Sequence, residues 1–123
     1  MPLVVRAVRG ATTLDEDNRE HLFERVKALF SEILDRNGLG PDDLISVFLT
    51  ATSDIHSAFP AEAARSFGLP DVPLLGAQEI DVDGAMPLCI RVMAHVYTER
   101  SRQEIRHVYL EGAKALRRDL ADG

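Results

Sequence analysis

The sequence predicts a single α+β domain in which a mixed β-sheet packs against one long and one short helix. The chain has 123 residues, of which 46% are hydrophobic, and this length and composition suit one compact domain. One long segment has helical apolar spacing, and several shorter runs have the composition of strands. A domain of this size buries roughly two thirds of its unfolded surface. A pocket for a polar ligand would consume much of that core unless subunits shared its walls, so an oligomer is plausible.

The first half of the chain is predicted as a strand, a long helix and a buried strand. Residues 3–9 are rich in β-formers and end at Gly10, which suits a strand leading into a turn. Residues 13–16, Thr-Leu-Asp-Glu, form a capping box for a helix over about 16–37. The nearly continuous apolar run 44–52 is typical of a strand buried on both faces. The helix assignment depends on an apolar stripe of Leu22, Val26, Leu29 and Ile33.

The second half begins with a short helix and a third strand. Pro60 suits the first position of a helix, where its missing N–H costs nothing, and that helix carries Arg65 and closes near Gly68. A strand follows Pro73, and residues 81–85 form an acidic turn.

Two later segments alternate between apolar and other residues, as strands do. In 88–98, Arg91 belongs to the face opposite the apolar one, and in 105–111 the same is true of Tyr109. If these two strands pair, Arg91 and Tyr109 line the same surface. That surface also carries Met93, so it is too apolar to be a plain solvent face.

Composition excludes several classes of partner and site. The net charge is -6 with a pI near 5.1, and no basic patch occurs, so neither nucleic acid nor membrane is expected as a partner. The single Cys89 excludes an intrachain disulfide and a cysteine-rich zinc site. Because the N-terminus lacks the apolar segment of a signal peptide, we expect a cytoplasmic protein. Arginine supplies twelve of the fourteen basic residues, but genome composition explains such a bias without any ligand.

The residues that could carry chemistry are few. Arg91 lies in a strand that otherwise buries well, where a guanidinium is costly unless it meets a carboxylate, a ligand or water. An ordinary ion pair or an outward-facing edge position would also explain it. Arg9 and Tyr109 taken alone are equally compatible with structural roles. Glu79 stands where a strand ends and a polar ligand group could be met.

The sequence gives little support for a metal site or for covalent catalysis. Twelve residues counted from Asp81 lead to Val92, where a calcium loop requires a bidentate Glu. The four histidines have no metal-ligand spacing, so we expect no metal site. Cys89 could act as a nucleophile with His107, but a lone Cys in an apolar run is usually an inert buried thiol. No serine elbow, phosphate loop or dinucleotide fingerprint occurs, so the residues indicate no cofactor.

An ordered series of short segments carries a specific resemblance. The segments include Val-Arg-Gly-Ala-Thr-Thr (8–13), Phe-Pro-Ala-Glu-Ala-Ala-Arg (59–65), Gln-Glu-Ile-Asp (78–81), Cys-Ile-Arg-Val-Met (89–93), Arg-His-Val-Tyr-Leu-Glu (106–111) and Leu-Arg (116–117). From about Leu3 to Leu120 the chain resembles the small trimeric chorismate mutases of the pseudo-α/β-barrel type. The resemblance implies one domain over 1–123, with an ordering of the 113–123 tail that the sequence leaves open. It also implies a homotrimer with active sites between subunits.

The implied activity is conversion of chorismate to prephenate, a [3,3]-sigmatropic rearrangement that needs no nucleophile, general base or cofactor. By resemblance, the Arg91 guanidinium meets the ether oxygen, where negative charge grows in the transition state. Glu79 accepts a hydrogen bond from the ring hydroxyl and orients Arg91, while Arg9 and Tyr109 bind a carboxylate. Arg9, Glu79 and Arg91 are therefore the catalytic candidates.

The remaining implied contacts come from the neighbouring subunit's helix segment and the tail. Arg65 and Arg117 guide the dianion in or hold its carboxylates, and Phe59 and Leu116 form apolar walls that favour the reactive conformer. Gly76 offers only backbone where family members can have a cysteine side chain. Other departures are Glu62, where a lysine can stand, and Arg118, where a proline can follow the tail arginine. These departures bear on affinity and tail ordering more than on the type of reaction.

Two other hypotheses remain open from sequence. A trimeric imine or enamine deaminase would also hold a carboxylate with an interfacial arginine, which fits Arg106 or Arg91 but leaves Glu79 and residues 8–13 unexplained. A non-catalytic module that binds a dicarboxylate would be consistent with Glu62 and Gly76 weakening the site.

Overall fold

The computed structural model of the chain describes residues 2–69 and 71–116. Within them, two α-helices pack on a five-stranded mixed sheet, which confirms the predicted fold class. In chain order the elements are β1 (Val4–Thr13), α1 (Arg19–Arg36), β2 (Leu44–Ala51), α2 (Pro60–Ser66), β3 (Leu74–Gln78), β4 (Cys89–Thr98) and β5 (Val108–Tyr109). Short 3₁₀ helices cover Pro41–Asp43, Arg102–Glu104 and Glu111–Ala115. No helix in these two ranges combines the length and apolar character needed to cross a bilayer.

The strands lie in the order β3-β2-β4-β1-β5. The central pairs β1–β4 and β2–β4 are antiparallel, while β3 runs parallel to β2 and β5 parallel to β1. The strands of 88–98 and 105–111 therefore do not pair, because β1 lies between them. Ala11 of β1 is level with Arg91 on one side and with Tyr109 on the other, so the two side chains still share one surface.

One face of the sheet is covered by the helices. Val8, Leu49, Val92, Ala94 and Val96 point to this covered face and are at most 3% exposed, packed against the apolar stripe of α1. Their neighbours along each strand point to the opposite face, which we call the open face. Large apolar residues of the open face stay 40–60% exposed, namely Val5, Phe48, Leu75, Met93 and Tyr97.

Gly10 explains why the first strand does not stop where predicted. β1 continues through Gly10 to Thr13, so the predicted turn there is wrong. A Cβ at Gly10 would lie 2.8 Å from Ile33 Cδ1 and 3.2 Å from Leu29 Cδ1. The glycine lets α1 approach the sheet closely at this point and continues the strand.

Two other predicted boundaries need correction. Because β1 includes Thr13, residues 13–16 cannot cap α1, and Asn18 caps it instead by accepting a hydrogen bond from the His21 N–H at 3.2 Å. The strand predicted as buried on both faces is covered on only one, and Phe48 is 45% exposed. An apolar run cannot by itself distinguish a face covered by helices from an open one.

Candidate active site

An open cavity of about 400 Å³ lies on the open face of the sheet. Residues of β1, β2 and β4 form its floor, and Glu79 closes it beyond the end of β3. Phe48 and Met93 are its largest apolar lining residues. Its polar lining consists of Arg9, Thr50, Glu79, Arg91 and Tyr109.

Arg91 occupies the middle of the cavity floor because β4 is the central strand. Its neighbours in the sheet are Ala11 of β1 and Thr50 of β2, and its side chain remains half exposed. The Arg91 Nε lies 3.2 Å from Glu79 Oε2. This ion pair holds the Arg91 guanidinium beside Glu79 on the cavity floor, where its charge can attract an anion.

Glu79 is held from three directions. Its backbone N–H donates to the Ala51 carbonyl at 2.9 Å, which extends the β2–β3 pairing by one residue. Its carboxylate accepts a hydrogen bond from the Thr50 hydroxyl and pairs with Arg91. The carboxylate is therefore oriented by the protein before any ligand arrives.

Arg9 and Tyr109 complete the polar lining of the cavity. Arg9 lies opposite Met93, and its backbone N–H donates to His107 Nδ1 at 2.9 Å. Tyr109 is 5% exposed and packs with Ala11, Ala113 and Leu116. Two guanidiniums against one carboxylate leave the cavity with a net positive charge inside an acidic chain, which favours an anionic ligand.

Phe59, Arg65 and Gly76 lie elsewhere in the protomer. They line a separate groove of about 760 Å³ whose strand residues include Leu49 and Ala51. Leu49 and Ala51 alternate with Phe48 and Thr50, so the groove and the cavity lie on opposite sides of β2. The structure thus brings Arg9, Glu79, Arg91 and Tyr109 to one cavity and packs Leu116 near Tyr109, but the Phe59–Arg65 segment of the same protomer lies elsewhere.

Three further expectations from the sequence concern Arg117, Gly76 and the deaminase hypothesis. Arg117 lies outside the described residues. A Cβ at Gly76 would meet only the Leu49 carbonyl oxygen, at 3.8 Å, so the groove has room for a side chain there. The deaminase hypothesis is not favoured by Arg106, which is exposed, lies outside the cavity lining, and is tied through its backbone N–H and carbonyl to the side chain of Asn37.

The geometry also bears on the covalent and metal alternatives. Cys89 is 1% exposed, and burial raises the pKa of its thiol, so it would be a poor thiolate nucleophile at neutral pH. The His107 ring accepts a hydrogen bond from the Arg9 backbone. Across residues 2–69 and 71–116, no three His, Cys, Asp or Glu side chains converge as metal ligands would.

Sequence reasoning missed Thr50 because the whole run 44–52 was assigned to a doubly buried strand. The signal was present, since Ser46 and Thr50 are polar residues at even spacing and share a face with Phe48. A polar residue repeated at even positions of an apolar strand indicates one face that is not part of the core.

Comparisons with known proteins identify the family. A family model described as chorismate mutase type I matches residues 5–120. The chain is 42% identical over 120 residues to the chorismate mutase AroH of Bacillus subtilis (strain 168), covering 97% of this chain and 94% of the relative. It is 44% identical over 118 residues to the AroH of Thermus thermophilus, covering 95% and 97%. A solved chorismate mutase from Clostridium thermocellum matches with a TM-score of 0.87 at 44% identity, over 89% of this chain and 98% of that one.

Proposed function

Because the chain belongs to the type I chorismate mutase family, and is therefore a chorismate mutase, we propose that its reaction takes place in the cavity of Arg9, Glu79, Arg91 and Tyr109. The observation that carries this proposal is the Glu79–Arg91 ion pair at 3.2 Å on the cavity floor. The reaction converts chorismate to prephenate by breaking an ether C–O bond while a C–C bond forms. Such a rearrangement needs electrostatic stabilisation and positioning, which this set of side chains can supply.

Arg91 carries the central catalytic role in this proposal. Negative charge grows on the ether oxygen as the C–O bond breaks, and a guanidinium at that oxygen stabilises the transition state more than the ground state. Glu79 pairs with the guanidinium beforehand, and Thr50 orients the Glu79 carboxylate by donating a hydrogen bond to it. Preorganisation of this kind avoids the cost of reorienting dipoles during the reaction.

The other cavity residues bind and orient the substrate. Arg9 and Tyr109 hold one carboxylate of the dianion, and Glu79 accepts a hydrogen bond from the ring hydroxyl. Leu116 adds an apolar wall next to Tyr109, with which it packs. Arg117, which follows it, contributes a further charge to the carboxylates.

The complete site also requires a second protomer, and we propose a homotrimer. The open face exposes several large apolar side chains, and contiguous patches of this kind on soluble proteins usually mark interaction surfaces. A neighbouring subunit seated there would cover Val5, Met93 and Tyr97 and bring its Phe59, Arg65 and Gly76 to the cavity. The exposure of Phe59, 77% in the protomer, is consistent with a side chain that functions at an interface. We place the trimer in the cytoplasm, which suits the free Cys89.

The decisive experiment follows chorismate absorbance after addition of purified wild type or Arg91→Ala. We expect Arg91→Ala to lower kcat/KM about 200- to 1000-fold. This corresponds to a loss of roughly 3–4 kcal/mol of transition-state stabilisation. Arg91→Lys should also be impaired because the planar fork is lost. Arg36→Ala, which removes a surface arginine paired with Glu32 on α1, serves as the control and should keep full activity.

The product should be prephenate, confirmed by its acid conversion to phenylpyruvate. Full activity of Arg91→Ala would contradict the assignment of the site. Calorimetric binding of chorismate without turnover by wild type would instead support the non-catalytic binding module. Ammonia release from an iminopropionate, with chorismate untouched, would support the deaminase.

A further inference from the structure

The groove that carries Phe59 and Arg65 also carries a closely paired carboxylate. Glu62, in the first turn of α2, accepts two hydrogen bonds from Arg19 at the start of α1. Arg19 Nη1 lies 3.1 Å from Glu62 Oε1, and Nη2 lies 2.7 Å from Oε2. This is the parallel two-bond arrangement in which arginine binds a carboxylate most specifically. Both side chains line the groove together with Phe59 and Arg65.

Arg19 is also fixed from its other side. Its Cζ lies 4.5 Å from the centre of the Phe23 ring one turn further along α1, and Phe23 packs against the main core. The stacking orients the guanidinium toward α2 and reduces the entropy lost when the fork binds Glu62. The pair is therefore a built contact between the two helices.

The charge of Glu62 matters because of its location. It is three residues before Arg65 on the segment that the proposed function turns toward a dianionic substrate. Hydrogen bonding from Arg19 lowers the pKa of Glu62, so the carboxylate stays ionised at neutral pH. Without Arg19, the Glu62 carboxylate would repel the dianionic substrate and offset the attraction between the substrate and Arg65.

We propose that Arg19 is a positioning residue for the substrate site, which neutralises Glu62 and leaves Arg65 as the net charge presented to chorismate. The inference rests on the proposed placement of the Phe59–Arg65 segment against the substrate. Arg19 acts through Glu62, so its effect belongs to substrate capture, while the chemical step depends on Arg91 and Glu79.

A double-mutant cycle of Arg19→Gln, Glu62→Gln and the combined variant tests this role. We expect Arg19→Gln to raise KM about three- to tenfold, with kcat within about twofold of wild type, because one unpaired carboxylate then faces the dianion. Glu62→Gln should leave KM unchanged or lower it. In the combined variant KM should return to the Glu62→Gln value, since position 62 no longer carries a charge that repels the substrate.

Salt dependence and a matched ion pair provide the controls. The KM defect of Arg19→Gln should shrink at about 0.5 M salt, where exposed charges are screened. Arg36→Gln removes another partly exposed arginine–glutamate pair of α1, 2.9 Å from Glu32, and should leave KM unchanged. A merely structural role for Arg19 would lower the melting temperature and would not be rescued by Glu62→Gln.

Two outcomes would overturn the inference. One is an unchanged KM in Arg19→Gln, and the other is a combined variant as weak as Arg19→Gln. Arg65→Ala measured beside them separates this failure from that of the proposed site. If Arg65→Ala raises KM while Arg19→Gln does not, only the role of Arg19 is wrong; if neither raises KM, the placement of the α2 segment against the substrate is wrong as well.

Discussion

The two faces of the sheet are built from alternate residues of the same strands, yet they differ in what covers them. On the covered face, Val8, Ala94 and Val96 are fully buried beneath the helices. On the open face, the neighbouring Met93 and Tyr97 are apolar or aromatic but remain 40% and 47% exposed in the protomer. The open face also carries Arg9 and Arg91. The covered face forms the core of the domain, and the open face carries the proposed site and the proposed assembly surface.

The largest expected effect on stability comes from removing a side chain of the covered face. Leu49→Ala should lower the free energy of unfolding by about 2–5 kcal/mol, because Leu49 is 1% exposed and its loss leaves a cavity. Chemical denaturation at one fixed protein concentration measures the change. Val82→Ala, at a 59% exposed position, is the control and should change stability by less than about 0.5 kcal/mol. Equal effects of the two substitutions would contradict the assignment of Leu49 to the core beneath the covered face.

A charge on the open face should affect assembly and leave folding intact. Tyr97→Asp places a carboxylate on the surface proposed to be covered by a second protomer, where an unpaired charge is costly. We expect wild type to sediment as a trimer and the variant as a folded monomer with little mutase activity. The control is Lys27→Asp, at an exposed position of α1, which should leave the sedimentation of the protein unchanged. A wild-type chain that sediments as a monomer would contradict the proposed assembly.

A smaller effect is expected from the residue that orients Glu79. Thr50→Val keeps the shape of the side chain but removes the hydroxyl that donates to the Glu79 carboxylate. We expect kcat/KM to fall about fivefold, the equivalent of roughly 1 kcal/mol. Ser46→Ala, on the same strand and the same face but facing His95, should leave kcat/KM unchanged. If both variants lose the same activity, Thr50 has no special role in the site.

The smallest expected effect is a pH dependence of stability, which arises where Asp17 binds the loop that precedes Phe59. The Ser57 side chain near the Asp17 carboxylate, together with hydrogen bonds donated by the backbone N–H groups of His56 and Ser57, lowers the pKa of Asp17 from its ordinary 3.8. Because the folded pKa is the lower one, the contribution to stability is complete above pH 3.8 and is lost as the pH falls through the folded value. The stability difference between wild type and Asp17→Asn should therefore narrow below about pH 4, measured by denaturant midpoints. A difference that stays constant down to pH 3 would contradict this account.

Much of the fold could be predicted because the signals were local. The stripe of α1, the proline that begins α2 and the alternation along β4 each fixed an element from its own residues. The errors arose where contacts between residues distant in sequence determine the structure. Glycine is common in turns, so Gly10 by itself predicts the end of the strand, but it allows α1 to approach the sheet closely. The position of β5 beside β1 depends on a strand pairing that no local pattern encodes.

The candidate site shows the same division. Resemblance to a family identified Arg9, Glu79, Arg91 and Tyr109, and the structure brings those four side chains to one cavity. Thr50 escaped notice because its strand looked uniformly apolar. The pairing of Arg19 with Glu62 joins residues 43 positions apart, so Glu62 read from sequence alone seemed only to weaken the site.

The central claim is that one protomer contributes Arg91 and a neighbouring protomer contributes Arg65 to each active site. Arg91→Ala and Arg65→Ala chains should each be impaired alone, so we would unfold them together in equal amounts, refold them, and assay the mixture at low substrate concentration. If subunits share the sites, random reassembly leaves about a quarter of the sites with both arginines, and activity should rise to about a quarter of wild type. A mixture no more active than the mean of the two separate variants would contradict the shared site.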